Sequence, residues 1–196
     1  MINNSTMNDP HMIILKNYVE KLRNTNPKSY TPNFDPNDGG INAKILFLFE
    51  KPGRKTDPSY GGSGYISLDN KDETARATKK FLKEANINRK KIVIWNTIPS
   101  WNGTRDISIE ERKQASLQLS SLLNVLKNLE FIFLVGKEAQ KMSKLLDPSK
   151  YKIINSPHPS PINRASRRKE WENIPKIWKQ ATKSVKLSKS VTVDKT

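Results

Sequence analysis

The chain has no cysteine and only two histidines, His11 and His158, in 196 residues. The first absence excludes disulfides and thiolate-held iron–sulfur clusters. The second leaves little from which to build a zinc site, so neither a metal nor a cofactor is expected. Long apolar runs are missing as well. Nothing approaches the roughly 18 residues of a membrane span, and the N-terminus lacks a signal peptide's apolar core, which predicts a cytoplasmic protein with no membrane partner. Acidic residues are scarce, 19 against 35 Lys and Arg, giving a formal net charge of +16 and an isoelectric point near 10.0. That balance favours a polyanionic partner, with nucleic acid ahead of a ribosomal or membrane-surface role.

What is present reads as one α/β domain with a sizeable core. Ile14, Leu15, Tyr18, Val19 and Leu22 recur at helical spacing and predict a first helix ending near Asn24. Residues 26–40 are rich in Pro, Asn, Asp and Gly and read as loop. Three continuous apolar runs follow, Ile45 to Phe49, Ile92 to Trp95 and Phe131 to Val135, as expected of strands buried on both faces; Tyr151 to Ile154 makes a fourth. Between them, Asp72 can cap a helix burying Ala75, Phe81, Leu82 and Ala85, and Ser108 with Glu111 forms a capping-box pattern ahead of Leu119, Leu122, Leu123 and Leu126. Further helices are expected over 137–146 and 168–181. The alternation predicts a three-layer α/β/α fold around a four-stranded parallel sheet. Residues 1–10 and 183–196 read as a flexible N-terminus and a flexible basic tail around a domain at 11–182, expected to be a monomer.

Each apolar run breaks into unusual residues: Glu50-Lys51-Pro52-Gly53, then Asn96-Thr97-Ile98-Pro99, then Gly136, and finally His158-Pro159-Ser160-Pro161. In open parallel sheets the ligand crevice lies outside the carboxyl ends of the strands, so these loops should share one site. The prolines around His158 fix φ and remove backbone donors, which presents the imidazole in one direction.

In order and context these motifs resemble those of the uracil-DNA glycosylase superfamily, over roughly residues 44 to 180. The resemblance implies a monofunctional enzyme that flips a pyrimidine out of DNA and hydrolyses its N-glycosidic bond, leaving an abasic site. It implies that Asn96 reads the base edge, having both a donor and an acceptor, and that His158 stabilises the anionic O2 of the leaving base. Tyr65, or else Ile66, stands where the family places a platform for the flipped base, with Asn70 alongside. Ser156, Pro157 and Ser160 would pinch phosphates together with Pro52 and Gly53, and Ile162 would wedge into the stack. Arg164, Arg167 and Arg168 would face the flanking phosphates.

The first motif departs from the family. Where the branch with the strongest uracil activity has an aspartate before the proline, this chain has Lys51, and a cation cannot offset a developing sugar cation. Glu50 is the first candidate to position water and Asp69 the second. Lys51 is left to contact phosphate, to pair with a carboxylate, or to attack the sugar as an amine, the first two being favoured. The departure, with Trp95 and Trp101 near the base-reading strand, implies an altered pocket. The substrate is then uracil or a modified pyrimidine such as a hypermodified cytosine of phage DNA, and the role base excision repair or anti-phage defence. A silent DNA- or RNA-binding protein on the same fold is the alternative.

Overall fold

The computed structural model describes residues 8–188. In chain order its elements are α1 (Pro10–Thr25), β1 (Asn33–Phe34), β2 (Ile45–Phe49), β3 (Tyr65–Ile66), α2 (Glu73–Glu84), β4 (Ile92–Asn96), α3 (Ile109–Val125), β5 (Phe131–Val135), α4 (Lys137–Gln140), β6 (Lys152–Ser156), α5 (Pro161–Ser166) and α6 (Arg168–Ser188). The four main strands form one parallel sheet in the order β4-β2-β5-β6. All their carboxyl ends therefore open on one edge, as the sequence predicts.

Side-chain alternation along each strand divides the core in two. Leu46, Leu48, Val93, Trp95, Ile132 and Leu134 pack against α1, α3 and α4. Phe47, Phe49, Ile94, Phe133 and Val135 pack against α2 and α6, where Phe47 and Phe133 stack at 4.7 Å and Trp178 meets Phe47 edge-on. The expected helix starts are realised: Asp72 accepts the Ala75 amide, and Ser108 and Glu111 close a capping box.

Several expectations are corrected. Ile14 is exposed and Met12 takes its place in the core, because the buried stripe of α1 runs through Met12, Leu15, Val19 and Leu22. The 26–40 loop contributes a short parallel strand pairing with β3, and Phe34 within it stacks on Trp95 at 3.7 Å. Trp95 is thus a core residue on the sheet face opposite Asn96, one position away. Trp101 is buried too, in a backbone bridge with Tyr30. The helix expected over 137–146 is one turn of α-helix followed by a 3-10 turn over 141–145. Asp9 and Pro10 already open α1, and α6 continues to Ser188; residues 1–7 and 189–196 of the two expected flexible ends lie outside the described residues.

Candidate active site

At the carboxyl edge of the sheet lies a cavity of about 1130 Å³, lined among others by Phe49, Glu50, Asn96, Gly136 and His158. The motifs that end the four strands therefore meet in one place. Phe49 and Asn96 are register partners on neighbouring strands, and both lie on the α2 face. Asn96 is buried, and its Oδ1 has no hydrogen-bond partner. An orphaned buried acceptor costs about 1–3 kcal/mol, which a ligand donor would recover.

His158 meets the Phe49 ring edge-on, centroids 5.4 Å apart and planes at 90°. Burial, and then the positive charge of Arg105, push its pKa down to about 4, so the imidazole is neutral at physiological pH. Its loop is fixed from both sides. Upstream, Ser156 is fully buried; its hydroxyl accepts from the Trp178 indole at 2.9 Å and donates to the Pro157 carbonyl at 3.0 Å. Downstream, Ser160 caps α5, Pro161 occupies its first turn, and the Asn163 amide donates to the His158 carbonyl at 2.9 Å. Ser156 is accordingly an anchor of the loop, and its hydroxyl is already committed before any phosphate arrives. Ser160 and Pro157 stay partly exposed at the cavity, and Ile162, on the first turn of α5, is 75% exposed.

Glu50 lines the cavity half-buried. One carboxylate oxygen, Oε1, accepts the Glu138 amide at 3.2 Å at the start of α4; among the described residues nothing bonds the other. This seat depends on Gly136, whose φ of +94° suits glycine and whose missing Cβ would stand 2.5 Å from Oε1. Asp69, the second candidate for holding water, does not line the cavity. Its oxygens are taken by Lys79 and Arg89, both at 2.7 Å, and the Lys79 hydrogen bond leads in holding its carboxyl below the usual range.

Lys51 is also placed differently from a phosphate contact. Its side chain is 5% exposed and its ammonium donates to Asn102 Oδ1, the Asp106 carbonyl and Glu111 Oε1 at 2.8–2.9 Å. Three donors meet three acceptors, so no proton is left for DNA and no lone pair for attack on a sugar. Of the alternatives open to Lys51, the geometry leaves pairing with a carboxylate.

Tyr65 is packed into the α1-side core, while its neighbour Ile66 lines the cavity. The aromatic ring beside His158 is Phe49. Asn70 lines the cavity, with its amide donating to the Tyr65 carbonyl at 3.0 Å, and Pro52 and Gly53 form part of the same wall. Arg167 reaches the cavity. Arg164 and Arg168 are exposed and pair with Glu73 at 3.6 Å and Glu172 at 2.8 Å. Four cationic lining residues escaped the sequence reading, Arg54, Lys55, Arg105 and Lys137. Arg105 sits in the loop after β4, and the strand-end rule applied to that loop would have found it.

Fold and site define an α/β protein with a large cleft at its strand ends and basic side chains around it. The family model of the uracil DNA glycosylase superfamily matches residues 36–182, and the chain belongs to that superfamily. Among solved structures, it is similar to a putative uracil DNA glycosylase from Methanosarcina acetivorans, with 18% identity, 72% of this chain and 92% of that one covered, and a TM-score of 0.43. It is also similar to the mimivirus uracil-DNA glycosylase, with 15% identity, 81% and 71% covered, and a TM-score of 0.49. No curated protein matches significantly. No helix of the described residues is long and apolar enough to cross a membrane, and no cluster of His, Asp or Glu among them could hold a metal ion.

Proposed function

We propose that the chain is a monofunctional DNA glycosylase that extrudes a pyrimidine nucleotide and hydrolyses its N-glycosidic bond. The observation that carries this reading is the unpartnered, buried Oδ1 of Asn96, a residue that lines the same cleft as a neutral His158. A pyrimidine N3–H or exocyclic amine supplies the donor that Oδ1 lacks, and the Asn96 amide reads the neighbouring carbonyl.

As the bond breaks, charge separates into an oxocarbenium-like sugar and an anionic base. The neutral imidazole donates an N–H toward O2 of that base, from a loop too constrained to move away. Glu50 offers its free oxygen to a water on the other side of the sugar and offsets positive charge there. Phe49 supplies an aromatic surface for the flipped base, Ile162 fills the gap left in the stack, and the basic surface that includes Arg167 follows the backbone.

The cavity is at or above the roughly 300–1,000 Å³ that accommodates drug-sized ligands, which supports room for a substituent on the base as well as for uracil. Whether the protein serves repair or defence follows from which base it takes. The deciding experiment is mass spectrometry of bases released from uracil-containing, ordinary and hypermodified phage DNA. Free uracil or a free modified pyrimidine is the expected result. DNA binding and base flipping with no released base would leave a silent binder.

A further inference from the structure

Residues 101–108 leave β4 and return to α3 in a loop that Lys51 fastens at three points, on Asn102, on Asp106 and on Glu111 in the first turn of α3. Between the first two stands Arg105. Its guanidinium passes 3.9 Å from where a Cβ on Gly53 would sit, so it reaches from the β4 loop to the first motif, and its charge acts on the His158 ring. Among the described residues no carboxylate pairs with it, whereas Arg112, Arg164 and Arg168 each hold one. A guanidinium without a counter-ion at the wall of a cleft is matched to an anion.

Two anions meet in this cleft, a backbone phosphate and the base as it departs. The second is favoured by His158, which lines the same cleft within reach of the charge of Arg105. His158 is uncharged and contributes a dipole, whereas the leaving base acquires a full negative charge, which a full positive charge in a partly dehydrated cleft opposes far better. We propose that Arg105, held in place by Lys51, is a catalytic residue that contacts the departing pyrimidine anion alongside His158. The inference rests on the glycosylase reading. The C1′–N1 bond breaks with its electron pair passing to the base; water adds to C1′ and gives its proton to the Glu50 carboxylate. The base anion, held by Arg105 and His158, takes a proton from solvent as it leaves. Lys51 is then a positioning residue, and the lysine that replaced the family's aspartate acts through the loop it clamps.

The test uses the full chain in single-turnover excision on matched oligonucleotides carrying a cleavable pyrimidine or its 5-fluoro analogue, whose more acidic N1 needs less help to leave. Arg105→Gln should slow excision of the parent base by about 10²–10³, the loss found when one donor to a developing anion is removed, and should slow the fluorinated base at least tenfold less. Arg105→Lys should recover part of the rate, and the salt dependence of DNA binding should not change. Lys51→Met should reproduce the same base-dependent loss, and combining it with Arg105→Gln should add little, as for two residues acting as one unit. Equal losses on both bases would overturn the contact with the leaving base; if the salt slope also became shallower by about one unit, Arg105 would be a phosphate ligand instead. An unchanged rate would remove Arg105 altogether. Should the wild-type protein release no base from any DNA, the glycosylase reading itself falls and this proposal with it, an outcome distinct from active wild type with an indifferent variant.

Discussion

Replacing Lys51 by Met keeps the aliphatic stem and deletes the ammonium. Three acceptors lose their donor, and they are unequal. Glu111 Oε1 keeps the Asn102 amide at 3.2 Å, and Glu111 is 21% exposed, so water can reach it. Its carboxyl now works against burial with the help of Lys51 and Ser108, which together hold it below its usual pKa. Asn102 Oδ1 keeps only a long contact from the Thr104 amide, at 3.4 Å. Breaking a fully buried ion pair costs about 3–5 kcal/mol; with one partner partly hydrated we expect about 2–4 kcal/mol. For a domain of this size that lowers Tm by about 4–15 °C. The assay is reversible denaturant or thermal unfolding of the wild type, Lys51→Met, Glu111→Gln and the double variant. Since Gln also serves at the third position of a capping box, the double variant should recover about half the loss. A Lys51→Met change within about 0.5 kcal/mol, the range of ordinary surface substitutions, would refute the clamp. Borohydride should trap no enzyme–DNA adduct through this amine.

The depressed pKa of His158 makes the unfolded chain bind a proton that the folded chain refuses between pH 6.5 and about 4. Its stabilising effect is therefore complete above pH 6.5 and declines as pH falls through that window, by at most about 3 kcal/mol. Asp38, pushed up to about 7 by burial and by Asp35, acts in the opposite sense, losing stability as pH rises from 3.8 toward 7, so the His158 contribution is measured as wild type minus His158→Gln; a difference independent of pH contradicts the burial argument. Asn96→Ala should relieve the orphaned acceptor and leave stability equal or higher while abolishing base choice; wild-type selectivity in that variant would exclude Asn96 from recognition. Glu50→Gln should slow excision strongly in a folded protein, and Asp69→Asn should not; the reverse order of rates would return the water to Asp69. Neutralising Arg167 and Arg168 together should weaken binding to all sequences alike and reduce the salt slope by about one unit for each phosphate no longer neutralised, and a changed base preference with an unchanged slope would count against that role.

The sheet was legible because three of its strands carry unbroken apolar runs, the edge strand β6 being marked only by Ile153 and Ile154, and two helix starts because Asp72 and Ser108 cap locally. The meeting of Glu50, Asn96 and His158 followed from strand ends in a parallel sheet. What stayed hidden depends on contacts distant in sequence. The acceptors of Lys51 lie 51 to 60 positions away, and nothing near Lys51 announces them. Tyr65 and Ile66 point to different sides of a two-residue strand, and which side faces the cleft depends on its pairing with Asn33 and Phe34. The same alternation could have removed Trp95 from the pocket, since Asn96 one residue later had to face the other way. Helix α5 was missed although Ser160-Pro161 is a cap followed by a first-turn proline, because six residues are too few to show a period.

Gly136 carries no functional group, yet the position of the Glu50 carboxylate is set by what that residue lacks. A methyl group there would occupy the volume in which Oε1 now accepts the Glu138 amide, and it would also disfavour the backbone turn that starts α4. On the proposed reading of Glu50, hydrolysis would be lost through the addition of one carbon atom, at a site no chemical probe would label. Among divergent copies of such a chain, the residue at this turn would distinguish a hydrolase from a binder before any of the polar side chains had changed.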